Sequence, residues 1–193
     1  NTSHWRVFNL SNDFGITEDF NVTQVQFGVQ SVNNNYTLTV RLHTLNGTFN
    51  TSNLSLLGSI NVPVSPANNG NVVSAPFSAS VPAGSILVME VFTPANGTTL
   101  FFPGSNGIGQ SGPSYISAAD CGITQPTNLA SVGTGFPNVH YVMNVIGEYS
   151  IASLCTGTRA EATATADNIP PVALAQDMTV FLDINGQATI SAN

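Results

Sequence analysis

The chain has 193 residues, a formal net charge of −7, and only 7% charged side chains against 42% hydrophobic ones. Its basic residues are Arg6, Arg41 and Arg159, with no lysine, which leaves nothing to neutralise a phosphate backbone and excludes nucleic acid as a partner. The same acidity argues against anionic lipid surfaces. No apolar run approaches the roughly 20 residues that insert across a membrane, and the longest, Ile86 to Phe92, is interrupted by Glu90.

A chain of this length suits one sandwich or barrel with a single core. It begins at Asn1 without an initiator Met or an apolar leader, which reads as an exported chain after signal removal and predicts a secreted, extracellular or cell-surface location. Trp5 to Leu10 is the first predicted strand. The loop that follows, Asn12 to Asp19, gathers Asp13, Glu18 and Asp19. Carboxylates beside backbone carbonyls are the hard oxygen donors that calcium prefers, so these three are the candidate ligands of a structural Ca2+, against the alternative of a solvated turn. No other cofactor is expected.

Period-2 alternation then marks Val25 to Val29 and Tyr36 to Leu42, where every second side chain faces one core. Leu54 to Val62, Val72 to Val81, Ile86 to Thr93 and Thr98 to Phe102 continue the series, separated by Asn, Gly and Pro clusters that make turns. From Ser105 to Pro137 the chain is rich in Gly, Ser and Pro and reads as a long loop, with one short turn at Ser117 to Asp120. His140 to Gly147 is the last strand of the body. Short strands at this spacing, with almost no helical periodicity, predict an all-β, jelly-roll-like antiparallel β-sandwich over residues 1–155.

Cys121 and Cys155 form an even pair without metal-ligand spacing, so a disulfide tying the long loop to the end of the sandwich is the natural expectation. Residues 156–171, with an Ala-Thr repeat and Pro170-Pro171, read as a linker or a single edge strand. Residues 172–193 form a C-terminal two-strand extension. Alternation from Val172 to Asp183, the Asn185-Gly186 pair, and Gln187 to Ala192 have the pattern of a hairpin.

Few constellations carry chemistry. His4, His43 and His140 are far apart and lack ligand spacing for zinc. Gly109-Gln110-Ser111-Gly112-Pro113 is similar to the stretch around the nucleophile of trypsin-like proteases, but no Asp precedes the Ser, and Gly, Ser and Pro more often make a turn. Glu90, inside an apolar strand, and Asp120, beside Cys121, are the candidates for a paired-carboxylate site; the simpler reading has Glu90 pointing outward from a strand whose other face is core. No catalytic residue is assigned. Asn-x-Ser/Thr occurs at Asn1, Asn9, Asn21, Asn35, Asn46, Asn50, Asn53 and Asn96, the candidate glycosylation sites, and nowhere in the second half. Trp5 and Tyr115 are the candidate ligand-binding residues, because an aromatic face covers the apolar face of a sugar ring.

Residues 167–190, DNIPPVALAQDMTVFLDINGQATI, resemble the opening of HYR-type repeats. Those are immunoglobulin-like modules found in tandem on bacterial surface proteins and implicated in adhesion. The carriers of the likeness are the Pro-Pro entry, the Thr179-Val180-Phe181-Leu182-Asp183 strand and the Asn-Gly turn. The body, through PAGSILVMEVFTP at 82–94, GSNGIGQSGPSYISAADCG at 104–122 and GFPNVH at 135–140, looks like jelly-roll-like domains of secreted bacterial multidomain proteins.

Two strands are too few to bury a core, so the extension is expected to pair with a sheet edge, either that of its own domain or that of a neighbouring copy. Pairing with a neighbouring copy would propagate head to tail into a filament. The expected function is therefore a non-enzymatic extracellular structural or adhesive protein, a homopolymer subunit assembled by C-terminal strand addition. The alternative is a carbohydrate-binding module of a larger secreted protein, with surface glycans as partners.

Overall fold

The computed structural model describes residues 1–107, 112–133 and 139–150. In chain order the elements are β1 (Thr2–Asn9), α1 (Leu10–Phe14), β2 (Phe20–Val32), β3 (Tyr36–Leu45), β4 (Leu54–Val64), β5 (Asn71–Val81) and β6 (Ile86–Thr93). They continue with β7 (Phe101–Pro103), β8 (Ser105–Asn106), β9 (Ser114–Ala118), β10 (Ile123–Asn128), α2 (Leu129–Val132), β11 (His140–Tyr141) and β12 (Met143–Tyr149). One sheet has six strands in the order β10-β9-β1-β6-β3-β4. In the second, β2 lies between β5 on one side and β12 and β7 on the other, and β8 pairs with β11 as a separate short ladder. Every pair is antiparallel, and the fold is an all-β sandwich.

Alternation explains the core. On β3, Tyr36, Leu38, Val40 and Leu42 are buried while the residues between them look outward, and Val25, Phe27, Leu87, Met89 and Val91 close against them with essentially no exposure. The first helix is short because its ends are fixed locally: Asn9 Oδ1 accepts from the Asn12 N–H at its start, and Gly15, at φ 68°, ends it in the left-handed conformation. Asn9 thereby stops β1 one residue before the predicted end.

Gly28 is where the long strand β2 passes from β12 to β7, and three backbones meet there. Gly28 N–H donates to Val142 O at 2.9 Å, Gly104 N–H to Gly28 O at 2.7 Å, and Val142 N–H to Gly104 O at 2.9 Å. A Cβ on Gly104 would lie 2.8 Å from the Gly28 backbone, so the junction requires glycine for close approach rather than for an unusual φ.

The stretch read as a long loop, Ser105 to Pro137, is corrected. Its described residues contain β8, β9, β10 and α2, with a 3-10 turn at Ala119–Cys121 where a short turn was expected. The strands escaped notice because β9 buries only small side chains at its ends, Ser114 and Ala118, and β10 carries Pro126. β9 owes its order to pairing with β1, and β10 to pairing with β9, rather than to their own apolar content. The described residues fall in one compact unit, Asn1–Ala152. The linker at 156–171 and the extension at 172–193 lie outside the described residues.

Candidate functional site

The outer face of the six-stranded sheet holds a polar cluster. Register places Trp5 and Arg41 on either side of Glu90 on the β1-β6-β3 ladders. Glu90 is only 4% exposed. Its Oε1 accepts from Ser3 Oγ at 2.6 Å, and its Oε2 accepts from Arg41 Nη1 at 3.0 Å and lies 3.3 Å from His43 Nε2. Burial pushes the carboxyl up, but the hydrogen bonds of His43, Ser3 and Arg41, with the Arg41 charge, outweigh it and hold Glu90 below the usual carboxylate range. The arrangement does not match a serine-nucleophile relay, in which histidine stands between hydroxyl and acid. Here the acid stands between Ser3 and His43.

The cluster is roofed. The connection from β3 to β4, residues 46–53, folds across it, and Phe49 meets Trp5 at 6.0 Å and Tyr115 at 4.8 Å, both edge-on. Gln125 Oε1 on β10 pins the loop by accepting from Thr51 N–H at 2.9 Å and Thr51 Oγ1 at 3.0 Å. Trp5 Nε1 donates to Ser117 Oγ at 3.0 Å. Trp5 and Tyr115 are cross-strand partners, as a shared platform needs. Yet Trp5 is 4% exposed and Phe49 lies against both rings, so the expectation of an open stacking surface there is corrected.

Backbone edges form the second candidate site. Four strands at or near the margins of the two sheets carry proline: Pro126 in β10, Pro63 in β4, Pro76 in β5 and Pro103 in β7. Proline lacks the N–H that an incoming strand would use, and so guards an edge against pairing. The remaining margin, β12, has no proline, and among the described residues it pairs only with β2. Its sequence alternates, with Met143 buried and Asn144, Ile146 and Glu148 exposed. Comparison with protein families and with curated proteins finds no match to either.

The other sequence-predicted residues are dispersed. The calcium expectation is corrected: Asp13 lies in α1, Glu18 is exposed, and Asp19 Oδ1 accepts from the Ala83 N–H at 2.8 Å. Among the described residues no group of three acids, histidines or cysteines converges. Asp120 accepts from the Asn1 amino group at 3.1 Å, so it and Glu90 serve separate contacts rather than one carboxylate pair. Cys121 is exposed, and Cys155, its expected partner, lies outside the described residues, as does Ser111.

Several sequon asparagines act as local caps. Asn9 Oδ1 accepts from Ser11 Oγ, Asn50 Oδ1 from the Ser52 and Asn53 N–H groups, and Asn96 Oδ1 from the Thr99 N–H, whereas Asn1 Oδ1 accepts across the fold from the Ala95 N–H. The Asn-x-Ser/Thr pattern is thus in part a turn signature. Asn53 Nδ2, the atom a glycan would occupy, donates to Thr48 O at 2.7 Å. Asn21, Asn35 and Asn46 are exposed. The Glu90 cluster was the grouping not assembled from sequence. Its signal was an acid inside an apolar strand and two basic residues two apart, Arg41 and His43, on another.

Proposed function

We propose that this chain is a non-enzymatic extracellular protein of the structural or adhesive kind, a subunit that joins copies of itself when residues 172–193 of one copy add a strand to β12 of the next. The observation that carries the reading is the β12 edge, free of proline while β4, β5, β7 and β10 each carry one. The alternation of Val172 to Asp183 supplies a strand-former of suitable length, and backbone pairing of this kind needs no specific side-chain chemistry. The low charge, the absence of lysine and the likeness of residues 167–190 to adhesion modules support a place on a cell surface. Support for a non-catalytic role comes from Glu90, whose oxygens are occupied by structural donors.

Sedimentation of the full chain tests the reading. Polymers that grow with concentration, vanish when 172–193 is removed, and vanish in Ile146→Lys are expected, because a charge on an edge strand opposes pairing. Polymers unaffected by both changes would place the contact elsewhere.

A glycan-binding module is the second reading. It is favoured by a groove of about 720 Å³ where Asn35, Thr37, Ser65 and Asn68 stand beside Tyr36 and Pro94. Retention on a glycan array that Asn35→Ala and Thr37→Ala abolish would support it; no retention at all would remove it.

A further inference from the structure

Apart from the edge and the groove, the sandwich opens at the end where β1 begins and β6 finishes. A cleft of about 390 Å³ lies there, within the range of small-molecule sites. Its wall is mainly apolar, with Phe101, Ile116, Leu129 and Tyr141 as the main surfaces, and among the described residues no charged side chain lines it. Thr2, His4, Gln30, Thr93 and Ser105 interrupt that wall, and two of them carry a buried polar atom without a partner among the described residues. His4 is 5% exposed, and its Nδ1 has no hydrogen-bond partner among the described residues; the shielded Oγ1 of Thr93 has none either. Register explains their proximity: Thr2 faces Thr93 and His4 faces Val91 on the β1-β6 ladder, so His4 and Thr93 are diagonal neighbours on the inner face.

Folded proteins leave few buried polar atoms unpaired, and two beside one cleft of ligand size call for a partner. We infer that the cleft binds a small, uncharged, largely apolar molecule carrying one hydroxyl group, its body against Phe101, Ile116 and Leu129 and its hydroxyl on His4 Nδ1 and Thr93 Oγ1. A hydroxyl both donates and accepts, so it complements a threonine hydroxyl and either tautomer of a neutral imidazole. The edge-on Tyr141 and Phe101 rings, at 5.0 and 6.1 Å from the imidazole, fix its direction. An ionised ligand would bury its charge without a counter-ion. A polyhydroxylated sugar would set hydroxyls against Phe101, Ile116, Leu129, Val132 and Val139, whose side chains offer them no partner.

The test titrates the full chain with 4-propylphenol, with propylbenzene and with methyl glucoside, following the methyl resonances of Ile116 and Leu129. Saturable shifts are expected with the phenol, and about fivefold to tenfold weaker binding with propylbenzene, the effect of one neutral hydrogen bond. His4→Leu and Thr93→Val each reduce that preference to about twofold or less, with propylbenzene affinity little changed. Thr93→Val is close to isosteric and keeps the test open should His4→Leu fold poorly. No saturable shift with the phenol overturns the inference, as does a preference unchanged in both variants, or stronger binding of methyl glucoside at these methyls.

Discussion

His4 makes acid stability a sharp test of the sandwich interior. Burial holds its pKa at about 4, down from 6.5. A histidine with a depressed folded value costs nothing at pH 7, where both folded and unfolded forms are neutral. As pH falls below 6.5 the unfolded chain takes up a proton that the folded chain refuses, and stability drops until the pH nears the folded value. The full gap amounts to about 3 kcal/mol, or roughly 6–12 °C in Tm for a domain of this size. Glu90 does not confuse the window. Its folded value lies below its ordinary 4.5, so its contribution is present above 4.5 and is lost only as pH falls further. Thermal unfolding of the wild type and of His4→Leu, between pH 7 and pH 4.5, isolates the effect by difference. The wild type should lose stability more steeply, and the two curves should run parallel only above about pH 7. Parallel curves throughout would mean that the His4 ring takes up its proton in the folded state, and the buried placement would be wrong.

Three other outcomes follow from the geometry. Glu90→Gln leaves Arg41 and His43 without their carboxylate and should cost about 2–4 kcal/mol in chemical denaturation, less if Arg41, at 30% side-chain exposure, rehydrates. Phe49→Ala removes the roof over Trp5, the single tryptophan; its fluorescence emission should shift to the red in a folded protein, and an unchanged spectrum would show that other groups shield the indole. Gly104→Ala brings a Cβ to 2.8 Å from the Gly28 backbone and should prevent folding or cost more than about 3 kcal/mol, whereas Gly84→Ala, with open space around its Cβ, should cost only what its φ of 74° imposes.

The body of the fold was legible where the alternation was strong. Ile86 to Thr93 was read with its observed bounds, and the Tyr36, Leu54 and Val72 strands differ from the observed ones only by a few residues at their ends. Legibility failed for β9 and β10, whose Ser, Thr and Pro content carries no apolar period, because neighbouring strands supply their order. It failed again for Trp5. Strand pairing put Trp5 beside Tyr115 as a platform requires, but its covering comes from Phe49 in a connection whose path no local pattern encodes. Glu90 was read as pointing outward, which it does; that the outer face is itself roofed depends on that same connection. The guarded edges were present in the sequence as single prolines, and became meaningful only once strand order showed which strands are marginal.

Electron microscopy of the full chain from micromolar to millimolar concentration tests the central claim most directly. Strand addition at β12 predicts unbranched filaments with one subunit per repeat, lengthening with concentration and absent in Ile146→Lys. Monodisperse single particles across the whole range, from a correctly folded chain, would contradict it.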